Sequence, residues 1–515
     1  MKEISEQDKT AFYENVPLMY LIVLAGTGAL YIITCAPTIL WQDSALLTYR
    51  IWHNDIQGNL GLAISHPLYI LVGIAVKYIP IGQLAYRVNL ISAVFGAVAV
   101  ANLFLILRLW LRKTLPAVIG AITLAVSWTF WQNAVIAEVY SMYAAQMLAE
   151  LIMLLQYMRT KRVGYLYLLG FFNGLAIANH MWGSLALTCY AVFFIVLLAK
   201  KQIRLKHLGI IILLWVIGAI PYEYLIIKNI IISGDVAGTL SSALFGNGWQ
   251  SRVLNTSVSM KIVLENIMFI LLNFPTPNLL LLFLGLWVIW KKAPSRSFAN
   301  IIIAMMMLYF IFAFRYTVPD RHAFFLPFYC LAAITIGLGA DALLTRYNYK
   351  SLVIAVLAFT LLPIPTDFIT PAAARKFYKP LGQRRQRPYR DEYTYWLQPW
   401  KTGYRGAEKF ANEALDRVEK NAIIYAFTTD VHSLLYVQEV NRKRPDVKIV
   451  SQNDSSENAP VFNENTVAGL IKGSAIYVVS PAKNYCPAFL LEHYDFIESG
   501  LLWRVVAKSD TIGKK

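Results

Sequence analysis

Apolar and polar positions along the chain fall into long blocks. Eleven apolar runs, Val16–Leu40, Ala85–Leu107, Leu115–Trp131, Val135–Tyr157, Gly164–His180, Ser184–Leu198, Leu208–Ile232, Pro277–Trp290, Ala299–Phe314, Ala323–Leu343 and Leu352–Pro365, predict eleven membrane-crossing helices, each needing about 20 largely apolar residues. The run Pro67–Ile79 is shorter and reads as an interfacial helix after a polar stretch, Trp41–Ser65; apolar runs of about 10–14 residues are more typical of interfacial or re-entrant segments. Beyond residue 367 the blocks give way to short elements. Asn421–Phe427, Val447–Ser451, Ala475–Val479 and Leu501–Val506 read as strands and Val431–Val440 as a helix. The fold class is therefore an α-helical polytopic membrane protein with a C-terminal soluble α/β domain. The expected division is 1–367 for the membrane domain, with a first outer loop at 41–65 and an interfacial helix at 67–79, and 368–515 for the α/β domain.

Composition agrees with the pattern. Hydrophobic residues make up 57% of the 515 and charged residues 15%, against about 25% charged in an ordinary soluble domain. A water-soluble enzyme and a disordered chain are both excluded. Residues 368–515 hold 22 Lys/Arg and 16 Asp/Glu, nearly as many charges as the far longer segment before them. The net charge of +17 would suit nucleic acid, but within the membrane part the basic residues sit in loops between apolar runs, as membrane topology requires. The basic loops are Arg108–Lys113, Arg159–Arg162, Lys200–Lys206, Lys291–Arg296 and Arg346–Lys350. All five fall on the cytoplasmic side if the N-terminus is inside and Pro67–Ile79 does not cross. The α/β domain is then extracytoplasmic, the expected arrangement for a multi-pass protein of a bacterial inner membrane. The four cysteines have no metal-like spacing and predict neither a disulfide framework nor structural zinc.

Residues 37–367 carry only ten acids. An ionisable group at membrane depth is costly, about 2.5–3.5 kcal/mol on insertion scales, so each needs a reason. Asp43 follows Trp41-Gln42 at the outer end of the first run. It reads compatibly as a helix-terminus acid and as a carboxylate placed to take a proton from a hydroxyl. Glu138, in an apolar context just below the same face, is either a second catalytic acid or a structural carboxylate paired to a cation. His66, Arg87, His180, Arg315, Arg321 and His322 fall on that side as well. Singly each reads as an interfacial anchor; together they suit an anionic lipid head group, because arginine grips phosphate through a planar fork. A proton-coupled transporter would show a similar mixture, although ionisable groups are scarce toward the inner half. In the C-terminal domain, Asp430 follows the first strand, where α/β folds bind ligands; a helix cap is the alternative. The run Arg384–Arg390 reads as a contact to lipid head groups or as a solvated linker.

Several segments carry a family resemblance. Trp41-Gln42-Asp43-Ser44, His66-Pro67-Leu68-Tyr69, Arg87-Val88-Asn89 with Ser92, Ala137-Glu138-Val139-Tyr140, and Arg321 to Pro327 occur in that order, followed by Val437-Gln438-Glu439 and Arg444-Pro445-Asp446. Together they resemble the GT-C membrane glycosyltransferases, and more narrowly the protein O-mannosyltransferase-related family. The family's Asp-Ser-Gly-Glu motif is altered here, with Ala45-Leu46 after Asp43-Ser44. The resemblance implies transfer of a monosaccharide, mannose, from a polyprenyl-phosphate donor to Ser/Thr hydroxyls of exported proteins, with Asp43 as base, Glu138 assisting and inversion at the sugar. The cations would hold the donor phosphate, and the scheme needs no metal, cofactor or nucleotide. A glycolipid or envelope-glycan acceptor is the nearest alternative, and a transporter of polyprenyl-linked substrates a more distant one.

Overall fold

The computed structural model describes residues 15–318, 320–347, 349–381, 385–452 and 454–508. The sequence expectation for residues 1–14, a cytoplasmic N-terminus, lies outside the described residues. Among the described residues, five helices are long and apolar enough to cross a membrane, or up to eight if each of three bent pairs counts as one span. Tyr140–Thr160, Gly164–Asn179 and Gly183–Ala199, shorter or more polar, pack in the same bundle and coincide with three more of the apolar runs read from the sequence. The protein is an integral multi-pass membrane protein.

The departures from the expected runs have local causes. Pro275 and Pro277 cannot continue a helix, and the chain turns by 111° between Met260–Asn273 and Pro277–Lys292. The apolar run thus has a helical partner, Met260–Asn273, in a stretch that the sequence pattern leaves unassigned. The stretch 41–65 is not all loop: Asp43–His53 is a helix. The expected span Val135–Tyr157 begins as a helix only at Tyr140, so Glu138 lies in a helix break. Close packing elsewhere depends on glycine. A Cβ on Gly285 would meet the Thr335 carbonyl oxygen at 1.9 Å, and one on Gly339 the Leu281 oxygen at 2.0 Å, the small-residue approach common between membrane helices.

Four of the five basic loops meet at one end of the bundle. Lys113 Nζ is 2.8 Å from Asp341, Lys292 pairs with the same carboxylate, Trp110 Nε1 donates to the Lys292 carbonyl, and Ser295 reaches Met158. Asp341 is accounted for by these two lysines. Asp43, Glu138, His66 and His180 lie at the other end.

The C-terminal part carries a five-stranded sheet in the order β2-β1-β3-β5-β4. β1 (Ile423–Tyr425) runs parallel to β2 (Lys448–Val450) and β3 (Ile476–Val478). β5 (Leu502–Ala507) is antiparallel to β3 and to β4 (Tyr494–Ser499), a strand the sequence reading did not identify. Helix Thr428–Glu439 packs on helix Asp43–His53, where Tyr49 and His53 both bond Glu439, at 3.1 and 2.6 Å. The two parts are also joined by the Lys401 amide on the Thr34 carbonyl and the Ala85 amide on the Tyr436 hydroxyl.

Candidate active site

Two irregular segments and one polar helix face build the site. Segments 35–42 and 135–139 leave the regular helices, and backbone without helical bonds at this depth needs other partners. Helix Leu84–Leu111 supplies them. Asn89 donates to the Ala36 and Thr38 carbonyls and accepts the Ala137 amide; Ser92 accepts the Glu138 amide at 3.1 Å and donates to the Glu138 carbonyl at 2.9 Å. Ser44 Oγ then joins the segments by donating to Ala137 O at 3.0 Å. The Asn89–Ser92 spacing places both on one helix face. Replacing Asn89 by leucine is expected to cost about 1–3 kcal/mol for each carbonyl left buried and unpaired; thermal unfolding of the purified variant measures it.

Asp43 and Glu138 are thereby brought to one cavity of about 420 Å³, lined also by Arg50, His66, Tyr140, His180, Trp182, Arg315 and Asp320 together with apolar side chains including Leu46, Leu47, Leu244, Phe245 and Phe312. Asp43 is open on its cavity side and enclosed by protein elsewhere. Burial, and secondarily the Asp320 carboxylate, push its carboxyl up to about 7; burial raises Asp320 as well. Asp43 does not cap its helix. Gln42 occupies the cap position, without a side-chain bond, and Asp43 is the first helical residue.

The two histidines are stacked, with ring centroids 5.1 Å apart. His66 Nδ1 donates to the Asn179 carbonyl at 2.8 Å, which leaves Nε2 as its acceptor in the neutral form. His180 Nδ1 accepts the Trp182 amide at 3.0 Å, so its Nε2 carries the proton. Burial pushes His66 down to about 4, so it is neutral at physiological pH.

Arg50 escaped the sequence reading, although it lies seven residues after Asp43 on the same helix face, two turns along. Its Nη2 donates to Ser65 O at 2.8 Å and its Nε to Asp55 O at 3.3 Å. Gly58, at φ +68°, leaves room for it; a Cβ there would meet Arg50 Cζ at 2.9 Å. Asp320, another of the ten acids in residues 37–367, also escaped the sequence reading as a member of the site.

Other candidates go elsewhere. Arg87 is outside the cavity, its Nη1 donating to the Lys77 carbonyl at 2.7 Å and to that of Ile79. Arg315 lines the cavity, but its Nη1 is held by the Val253 and Asn255 carbonyls. Arg321 pairs with Glu265 at 2.5 Å, and His322 stacks on Trp128; both line a second, largely apolar cavity of about 460 Å³. A narrow recess shares Asp43, Glu138 and Asp320 with the first cavity and His322 with the second. Asp430 is fully buried against Arg385 at 2.7 Å and does not line the cavity. The basic run is therefore no solvated linker: Arg385 and Arg387 turn onto Asp430, and Arg390 pairs with Glu392 at 2.9 Å. Arg384 lies outside the described residues.

This architecture is the GT-C membrane fold. The chain superposes on ArnT from Cupriavidus metallidurans bound to undecaprenyl phosphate with a TM-score of 0.60 at 14% identity, over 97% of this chain and 99% of that one. For the apo state of the same protein the TM-score is 0.59 at 13% identity, over 95% and 97%. In sequence, residues 60–204 match the family model of the Protein O-mannosyl-transferase TMEM260 N-terminal domain, which bears out the resemblance drawn from the motifs. A stretch of 217 residues is 25% identical to Protein O-mannosyl-transferase TMEM260 of Mus musculus, 40% of this chain and 30% of that protein, so the chain spans less than a third of its curated relative. The family match contains His66, Arg87, Glu138 and His180; Asp43 precedes it.

Proposed function

We propose that this chain is a polyprenyl-phosphate-sugar glycosyltransferase that moves mannose to Ser/Thr hydroxyls of exported proteins. The observation that carries the reading is the single cavity in which a cavity-facing acid, two stacked histidines and two arginines adjoin apolar walls. An anionic head group with a lipid tail needs this combination. Asp43 takes the proton of the acceptor hydroxyl, whose oxygen attacks the anomeric carbon while the bond from that carbon to the phosphate oxygen breaks. One in-line displacement inverts the sugar. Arg50 and Arg315 offset the charge growing on the departing phosphate, and the His180 Nε2–H is a donor toward it. Glu138 keeps the acceptor hydroxyl aligned with Asp43. The basic loops at the far end orient this site and the α/β domain to the outer face.

A neutral hydroxyl is a weak nucleophile, and a base is most effective with a pKa near the working pH. Asp43, raised to about 7, meets that condition. Its base form exists above that pH, so turnover is expected to fall as pH drops through 7, with roughly a tenth of Asp43 ionised at pH 6. Asp320→Asn removes the second cause of the shift. Its kcat midpoint is expected to move to lower pH while staying above the ordinary carboxylate range, because burial remains. An unmoved midpoint in a kcat–pH profile would separate Asp320 from Asp43.

The direct test is transfer by purified protein in detergent, from a panel of radiolabelled polyprenyl-phosphate sugars to a mixture of exported proteins. Label on protein from the mannose donor is the expected result. Label confined to lipid or glycan would replace the acceptor, and no label from any donor would remove the reading.

A further inference from the structure

In a sheet with parallel strands, the ligand crevice lies at the strands' carboxyl ends where the connections diverge. Here β1 leads to β2 on one side and has β3 on the other. The chain itself occupies this place. Arg385 enters from the segment after the last membrane helix, bonds Asp430 and lies over the Tyr485 ring at 4.9 Å; Tyr485 in turn meets Phe427 edge-on at 5.0 Å. Asp430 is fully buried in the first turn of helix Thr428–Glu439, and Arg387 Nε stands 3.5 Å from its other oxygen.

The residue before Asp430 reaches the active site. The Thr429 carbonyl accepts the Gln42 amide at 3.2 Å. Gln42 has φ 59° and ψ −133°, a conformation that a residue with a Cβ holds only when its surroundings impose it. Trp41 is anchored in the same part of the chain, its Nε1 donating to the Tyr404 hydroxyl at 2.7 Å and its ring packing on Phe410. Past Asp43, Ser44 is tied to the membrane part instead, through Ala137 O. Asp43 thus sits where two anchors of different origin meet.

We propose that Asp430 is a positioning residue for Asp43: its buried pair with Arg385 locks the first turn of helix Thr428–Glu439, so that the Thr429 carbonyl holds the Gln42 amide and sets the direction of the base. The inference rests on the reading of Asp43 as the base. It makes the C-terminal domain a brace for the reacting group and its strand-end crevice a latch.

The test uses full-length protein in detergent and two readouts. Hydrogen exchange of the Gln42 amide reads the brace without any substrate, since local opening controls exchange. Asp430→Asn and Arg385→Met are each expected to speed it about tenfold or more, with helix Leu84–Leu111 unchanged and Asp430→Glu restoring protection in part. In transfer assays the same two variants are expected to lose about 10- to 100-fold in kcat, with KM for the lipid donor within about twofold, because misplacing a reacting group costs rate more than binding. Unchanged exchange at Gln42, faster exchange spread over the whole chain, or faster exchange at Gln42 with full kcat would each overturn the proposal. Asp43→Asn, run alongside, separates the two ideas: transfer that survives it removes Asp43 as base, whereas the exchange readout still decides whether Asp430 holds Gln42.

Discussion

Asp43→Asn is expected to lower transfer by about 10²–10⁴-fold, the usual contribution of a positioned general base, while donor binding is kept or strengthened. The amide fills the same space but cannot take the hydroxyl proton. Asp43, Glu138 and Asp320 all face the cavity that would receive the donor phosphate, so removing one carboxylate reduces repulsion toward it. Single-turnover transfer and donor-lipid affinity, measured on the same preparation, separate the two effects. A variant that binds donor poorly and transfers normally once saturated would make Asp43 a donor contact and move the base elsewhere, with Glu138 next in line.

The second large effect is expected at Arg50. Arg50→Met should lower kcat by about 10²–10³-fold, the range found when one fixed donor to a developing anion is removed, and should weaken donor binding. The guanidinium is 5% exposed and reaches the cavity from the same helix that carries Asp43. Its Nη2 and Nε also support the turn at Asp55 and Ser65, so loosening of that turn has to be told apart from loss of charge. Arg50→Lys makes the distinction. It keeps the cation and gives up the fork, so it should recover a substantial part of kcat if charge on the phosphate matters most. A lysine variant as impaired as the methionine one, with donor affinity unchanged in both, would assign Arg50 to the turn alone.

Much of the fold was legible because lipid permits few solutions. The backbone must satisfy itself within helices, so long apolar runs such as Leu84–Leu111 and Leu205–Ser233 announce their own structure. Charge asymmetry likewise marked one end of the bundle before Asp341 was seen to join Lys113 and Lys292 there. Helix Asp43–His53 and the break at Glu138 were less legible. Their backbone geometry depends on Asn89, Ser92 and Thr429, which come from distant parts of the chain, and no local pattern encodes such pairings.

The sites divide in the same way. Asp43, Glu138, His66 and His180 stood out as ionisable groups at or near the outer ends of apolar runs, where each carries a cost that needs a reason. Which of the cations joined them was a matter of reach. Arg87, Arg315 and Arg321 read alike as outer-face arginines, yet Arg87 bonds two backbone carbonyls outside the cavity, Arg321 is paired with Glu265 in another cavity, and of the three only Arg315, itself bonded to two carbonyls, lines the site, with Arg50 on the same lining. Asp430 read as a possible ligand group and proved to be half of a buried pair with Arg385.

The sequence by itself determined the membrane character, the helix-bundle and α/β division, and the end of the bundle at which chemistry is possible, because hydropathy and charge act locally and additively along a chain. The tertiary structure alone decided which carboxylates share a cavity, which arginines line it and which bonds tie the segments on either side of Asp43. Those are distances between segments far apart in sequence, and they are set by packing and hydrogen-bond satisfaction across the whole molecule.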